Sequence, residues 1–134
     1  RQGSIRAPQW THGGVALGPK PRSYRLALNK KVKRLALKSA FSSKVLDGDM
    51  IVVDKIESAG FKTKNMVAML SALGVTRKAL VVLPEADEKV IKSMANIPGV
   101  KTAQVGTLNV YDILGCDKFI VAKDAVTKIE EVYA

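Results

Sequence analysis

Residues 79–83 read Ala79-Leu80-Val81-Val82-Leu83, an unbroken apolar run closed by Pro84-Glu85 and followed by a helix-like stretch at 87–97. A strand with one face in water alternates apolar and polar side chains, whereas a short continuous apolar run marks a strand covered on both faces. Met50-Ile51-Val52-Val53 and Phe119-Ile120-Val121-Ala122 read the same way. Helical patterns lie between and after them, at 63–73, 87–97 and 124–133, with a short helical turn after Asn109 and a weaker strand at 101–105. Apolar strands alternating with helices predict an α/β fold, a three-layer α/β/α sandwich with a mainly parallel sheet. Val81, Val82, Leu83, Ile51, Val52, Val53, Ile120 and Val121 are expected at its centre. No internal repeat or low-complexity tract interrupts the pattern.

Working outward, the charge divides the chain in two. The first 44 residues hold eleven Lys or Arg and no Asp or Glu, while the other ninety hold eleven basic and twelve acidic residues, so the whole net charge of +10 sits at one end. Such an arm has no internal counter-charge, and a polyanion is the partner it calls for. Residues 1–28 are expected to form a basic RNA-binding arm and residues 29–134 an α/β globular domain. Up to about residue 25 no helical or strand period is present, and Gly3, Pro8, Gly13, Gly14, Gly18, Pro19 and Pro21 break any element that might start. Ile5, Trp10, Val15, Leu17 and Tyr24 are interleaved with the cations. Aromatic groups among cations suit a surface offering both phosphates and stackable bases, as RNA does.

A helix is predicted over 30–46, with Asn29 at its N-cap and Gly48 just past its end. On a helical projection Val32, Leu35, Ala36, Ala40 and Leu46 share a side expected to pack on the body, opposite Lys30, Lys33, Arg34, Lys38 and Lys44. Lys30 and Lys31 fall in the first turn, where the helix dipole disfavours cations. Lys30, Arg34 and Lys38 repeat at i, i+4, each like-charge pair costing roughly 0.2–0.5 kcal/mol. An external anion reverses both penalties. Leu37 and Phe41 fall on the basic side, which calls for a further segment or a partner to cover them.

Other chemistries find little support. His12-Gly13-Gly14 is similar to an oxyanion-hole turn, but no Gly-x-Ser-x-Gly nucleophile turn occurs, and His12 is the sole histidine. Gly13 to Lys20 approximates a phosphate-cradling loop with Pro19 inserted, yet Pro21 stands where a Ser or Thr should hold magnesium. Asp54, Lys55, Pro84 and Glu85 mark the strand ends where a doubly wound sheet can hold a small ligand, without any dinucleotide fingerprint. Cys116, the one cysteine, excludes an internal disulfide and has no base to activate it. No metal set and no cofactor is expected. No apolar run reaches the roughly eighteen residues of a membrane helix, so a soluble chain with no membrane partner is expected in the cytoplasm. The opening Arg1-Gln2-Gly3, without an initiating Met, is expected to lie inside a longer chain.

The run Arg1-Gln2-Gly3-Ser4-Ile5-Arg6-Ala7-Pro8-Gln9-Trp10 resembles the bacterial large-subunit ribosomal protein L-four family. So do Gly13-Gly14-Val15, Gly18-Pro19-Lys20-Pro21-Arg22, Asn29-Lys30-Lys31-Val32 and Ala36-Leu37-Lys38-Ser39-Ala40. The likeness continues through Ile51-Val52-Val53-Asp54, Lys62-Thr63-Lys64, Leu80-Val81-Val82, Asn109-Val110-Tyr111-Asp112, Ala125-Val126 and Glu130-Glu131. It implies a structural, non-enzymatic constituent of the large ribosomal subunit, active in subunit assembly. It also implies a long loop that threads ribosomal RNA towards the wall of the peptide exit tunnel. This chain would begin on the returning limb of that loop; the tip motif is absent from it.

By position, the resemblance implies RNA contacts at Arg1, Gln2, Arg6, Trp10, His12, Lys20, Arg22 and Arg25, continuing onto the helix at Lys30, Lys31, Lys33, Arg34 and Lys38. The arginines would clamp phosphates in bidentate fashion, and Trp10 would stack or wedge. Implied partners are large-subunit rRNA, neighbouring large-subunit ribosomal proteins and, for a free translational regulator, its own mRNA leader. A nucleotide-dependent enzyme is the remaining alternative, and it requires a deep pocket with a perturbed carboxylate at Asp54 or Glu85.

Overall fold

The computed structural model describes residues 3–10, 13, 15 and 17–133; no side chain is described for Pro8. After a 3-10 turn at Pro8–Trp10, the elements run α1 (Lys30–Leu46), β1 (Met50–Val53), α2 (Thr63–Ala72), β2 (Ala79–Leu83) and α3 (Glu88–Ala95). They continue with β3 (Val100–Gln104), a 3-10 turn (Val105–Thr107), α4 (Val110–Gly115), β4 (Lys118–Ala122) and α5 (Lys123–Tyr133). The strands form one four-stranded sheet in the order β1-β4-β2-β3, with every pair parallel. The α/β expectation holds, with the strands within a residue or two of their predicted positions.

Register explains the two covering layers. Leu80 pairs with Phe119, which pairs with Met50, so these three share a face of the pleat, and Val81, Ile120 and Ile51 share the other. On the Phe119 face lie α1, α4 and α5. The Phe41 ring of α1 stands 5.8 Å from the Phe119 ring and 6.2 Å from Tyr133 of α5. The Tyr133 hydroxyl donates to the Val105 carbonyl at 2.8 Å. Helices α2 and α3 pack together, and their Met66, Leu70, Val90 and Met94 are buried in the core. All five residues of β2 and Phe119–Ala122 of β4 are buried, as central strands covered on both sides must be.

One expectation about the core needs correction. Ile51 and Val53 are only half-buried, and Val52 is 55% exposed, because β1 is an edge strand of the described sheet.

The packed face of α1 also differs from the one read on the projection. Leu37, Ala40, Phe41 and Lys44 face the body, whereas Val32, Leu35, Ala36 and Leu46 are exposed. Two physical reasons account for this. Phe41 finds two aromatic rings at the sheet surface. Lys44 lays its stem along apolar surface while its ammonium donates to the Cys116 carbonyl at 2.7 Å and lies 3.9 Å from Asp49. Leu37 and Phe41 are therefore covered by the body itself. The helix ends as predicted: Gly48 adopts φ +69°, its N–H donates to Val45, and Asp49 N–H donates to the Lys44 carbonyl, a Schellman closure. Asn29 occupies the N-cap position, but its side chain accepts no capping bond.

Candidate nucleic-acid interface

Residues 30–36 of α1 are all exposed; burial begins only at Leu37. The first two turns of the helix thus contribute nothing to the core, and they carry Lys30, Lys31, Lys33 and Arg34, with Lys38 one turn on. The chain leading into them, residues 19–29, is exposed and forms no regular element. Lys20, Arg22 and Arg25 lie along it, and the Arg22 guanidinium sits 4.4 Å from the centroid of the Tyr24 ring, which is itself exposed. That stacked pair presents a flat cationic surface of the sort that recognises bases and phosphates together.

Further towards the start, a tight turn joins the Ala7 N–H to the Ser4 carbonyl at 3.0 Å, and the Trp10 N–H donates to the Ala7 carbonyl at 3.1 Å. Arg6 and Trp10 both point into solvent, Trp10 at 71% exposure. Of the thirteen residues expected to contact RNA, Arg1, Gln2 and His12 lie outside the described residues. The other ten are exposed, strung along one stretch from Arg6 to Lys38.

The ion pairs separate this stretch from the body. Among the described residues every ion pair involves Lys44 or a later residue: Lys44 and Lys118 with Asp49, Lys55 with Glu57, Lys92 with Glu88, Lys101 with Asp112, and Lys128 with Glu85. The cations from Arg6 to Lys38 have no carboxylate of their own segment to meet, since the first 44 residues contain none.

The competing sites offer less. Glu85, at the carboxyl end of β2, accepts from Lys128 at 2.9 Å, and this bond holds its carboxyl below the usual range, the opposite of a group poised to take a proton. Lys55 pairs with Glu57 at 3.8 Å, and Pro84 offers its carbonyl to Lys128. Cys116 is buried, its thiol donates to the Ile113 carbonyl at 3.1 Å, and burial pushes its pKa up, with Lys44 opposing. Such a thiol is a poor nucleophile. Among the described residues no group of three or more His, Cys, Asp or Glu could hold a metal ion, and no helix is long and apolar enough to cross a membrane.

The pattern of the Ribosomal protein L4/L1 family matches residues 1–132, taking in both this exposed cationic surface and the α/β body. The chain belongs to that family. Its relatives include the large ribosomal subunit proteins uL4 of Ruminiclostridium cellulolyticum and of Thermoanaerobacter pseudethanolicus, each 58% identical over 134 residues. That of Alkaliphilus oremlandii is 56% identical over 134 residues. Each alignment takes in 100% of this chain and 65% of the relative, so the chain spans just under two thirds of the length of the curated relatives it matches. The family resemblance read from the sequence is therefore correct.

Sequence reading missed two features of this side of the molecule. The first is Lys44, counted there as a solvent cation and found buried. The second is the cleft beside α4, rimmed by Tyr111 and Lys101. Tyr111 and Leu114 both point outward from α4, and two large apolar residues three apart on a short helix are the signal that was available.

Proposed function

We propose that this chain is a structural, non-enzymatic constituent of the large ribosomal subunit in the cytoplasm. In this reading it binds large-subunit rRNA through a basic arm, residues 1–28, and the exposed first half of α1. The α/β body from residue 29 anchors that surface and meets neighbouring large-subunit proteins. The carrying observation is that the described charged side chains from Arg6 to Lys38 are all exposed cations, none with an ion-pair partner among the described residues. RNA supplies the missing counter-charge, and the guanidinium-on-ring pair at Arg22 and Tyr24 supplies a platform for a base. The family relatives, named large ribosomal subunit proteins, support the same partner.

In this reading Arg6, Arg22, Arg25 and Arg34 clamp phosphates, Lys20, Lys30, Lys31, Lys33 and Lys38 add mobile point charges, and Trp10 stacks. Arg1, Gln2 and His12 extend the contact. The test is a salt titration of binding to a large-subunit rRNA domain and to an unrelated folded RNA of equal length. Preference for the rRNA, weakened when Arg6, Trp10 and Arg22 are changed to Ala, is the expected result. Equal affinity for both RNAs, or indifference to the three changes, overturns the reading.

A further inference from the structure

We propose that the cleft between α4 and the amino ends of β2 and β3 is a nucleobase site, in which one unpaired nucleotide of the bound RNA seats its base beneath the Tyr111 ring. The proposal rests on RNA being the partner, but it concerns a surface formed by none of the arm or α1 residues. The cleft holds about 290 Å3 between the start of β2, the start of β3 and α4. Its floor is apolar, with Ala79, Leu80 and Cys116 all buried. At the rim the Tyr111 ring stands 81% exposed, with the Lys101 ammonium 5.9 Å from its centroid.

The polar groups around the cleft favour a nucleotide over an aliphatic side chain. Asp112 is already satisfied, taking Lys101 at 2.6 Å, the Asn109 amide at 2.7 Å and its own N–H bond to Asn109 at 2.8 Å. Lys78, at the mouth, has no ion-pair partner among the described residues. An aliphatic group entering here would crowd the Lys78 ammonium and offer it no counter-charge, which is unfavourable. A nucleotide brings a flat apolar face for the ring and floor together with a phosphate for Lys78. Base on aromatic ring, with a cation beside it, is the recurrent mode of single-stranded RNA recognition. Gly99 and Gly115 keep the walls free of side chains.

The experiment is an amide-shift NMR titration of the full chain with adenosine 5′-monophosphate, and in parallel with ribose 5-phosphate, which lacks the base. Expected are shifts at residues 99–101 and 111–116 with the nucleotide and not with the sugar phosphate, and a loss of affinity of roughly five- to 150-fold in Tyr111→Ala, the range one stacked base supports. Shifts confined to the arm, equal shifts from ribose 5-phosphate, or unchanged affinity in Tyr111→Ala overturn the proposal. The rRNA titration with Arg6, Trp10 and Arg22 variants reads the arm alone, so the base site and the rRNA reading fail separately.

Discussion

The Lys44 ammonium bonds the Cys116 carbonyl at 2.7 Å across 72 positions of sequence. It ties α1, whose other end carries Lys30, Lys31, Lys33 and Arg34, to the loop that starts the central strand β4. Asp49, 3.9 Å from Lys44 and 2.8 Å from Lys118, completes a small network at the same end of the sheet. A buried carbonyl deprived of its donor costs about 1–3 kcal/mol, so Lys44→Ala is expected to lose at least that much stability in urea unfolding, and Lys44→Met, which keeps the stem, somewhat less than Lys44→Ala. Unchanged midpoints in both variants would remove Lys44 from the account of how α1 is held.

The carboxylates make the fold acid-sensitive in a defined window. Hydrogen bonds from Lys118 to Asp49 and from Lys101 to Asp112 hold both carboxyls below their ordinary values. Each stabilises the fold fully above the unfolded value of about 4, and that stabilisation is lost as pH falls through the lower folded-state value. Lys101, bonded to Asp112, is raised above the ordinary lysine value. Its stabilisation is complete below about pH 10 and is lost as pH rises through the higher folded value. Unfolding midpoints measured across pH should therefore droop at both ends, and Asp112→Asn should flatten both limbs.

Gly99 sits at φ +80°, and a Cβ there would lie 2.8 Å from the Arg77 carbonyl oxygen. Gly99→Ala is expected to cost about 1–3 kcal/mol from the strained backbone and the contact. Gly106, where a Cβ meets nothing within 4 Å, is the control, and Gly106→Ala should leave the unfolding midpoint nearly unchanged.

The cations of α1 predict opposite effects on stability and binding. Removing Lys30, Arg34 and Lys38 together relieves two i, i+4 repulsions of roughly 0.2–0.5 kcal/mol each, so thermal stability should rise slightly. Binding to rRNA should weaken, and the slope of log affinity against log salt should fall by about two to three. A weaker salt slope accompanied by lost stability would instead mark these residues as structural.

What the sequence disclosed followed from period and punctuation. The run at Ala79–Leu83 announced a strand buried on both faces, and Gly48 announced the end of α1. The family was legible because its motif residues extend along the whole chain. The packed face of α1 was not legible, because a projection counts apolar residues and cannot know that Phe119 and Tyr133 wait on the other side for Phe41. Nor could it foresee that a lysine would be buried, since Lys44 acquires its partner only when the loop at Cys116 arrives. Edge and centre were similarly hidden. Ile51-Val52-Val53 and Val81-Val82-Leu83 look alike as text, and strand order alone makes one a margin and the other a core.

Among the described strands, the order β1-β4-β2-β3 puts the last one made next to the first. Of these described strands, β1 pairs with β4 alone, a pairing that waits until Lys118–Ala122 has left the ribosome that is making it, and β2 until then has β3 alone. The sheet therefore closes late, by insertion of a central strand between two waiting ones, a route with long-range contacts that folds slowly. The cationic segment, in contrast, emerges early and needs no sheet to carry its charge. A chain cut short before residue 118 would keep its attraction for polyanions while lacking the strand that joins the two halves of its own body, and such a product should be sticky, unfolded and quickly degraded.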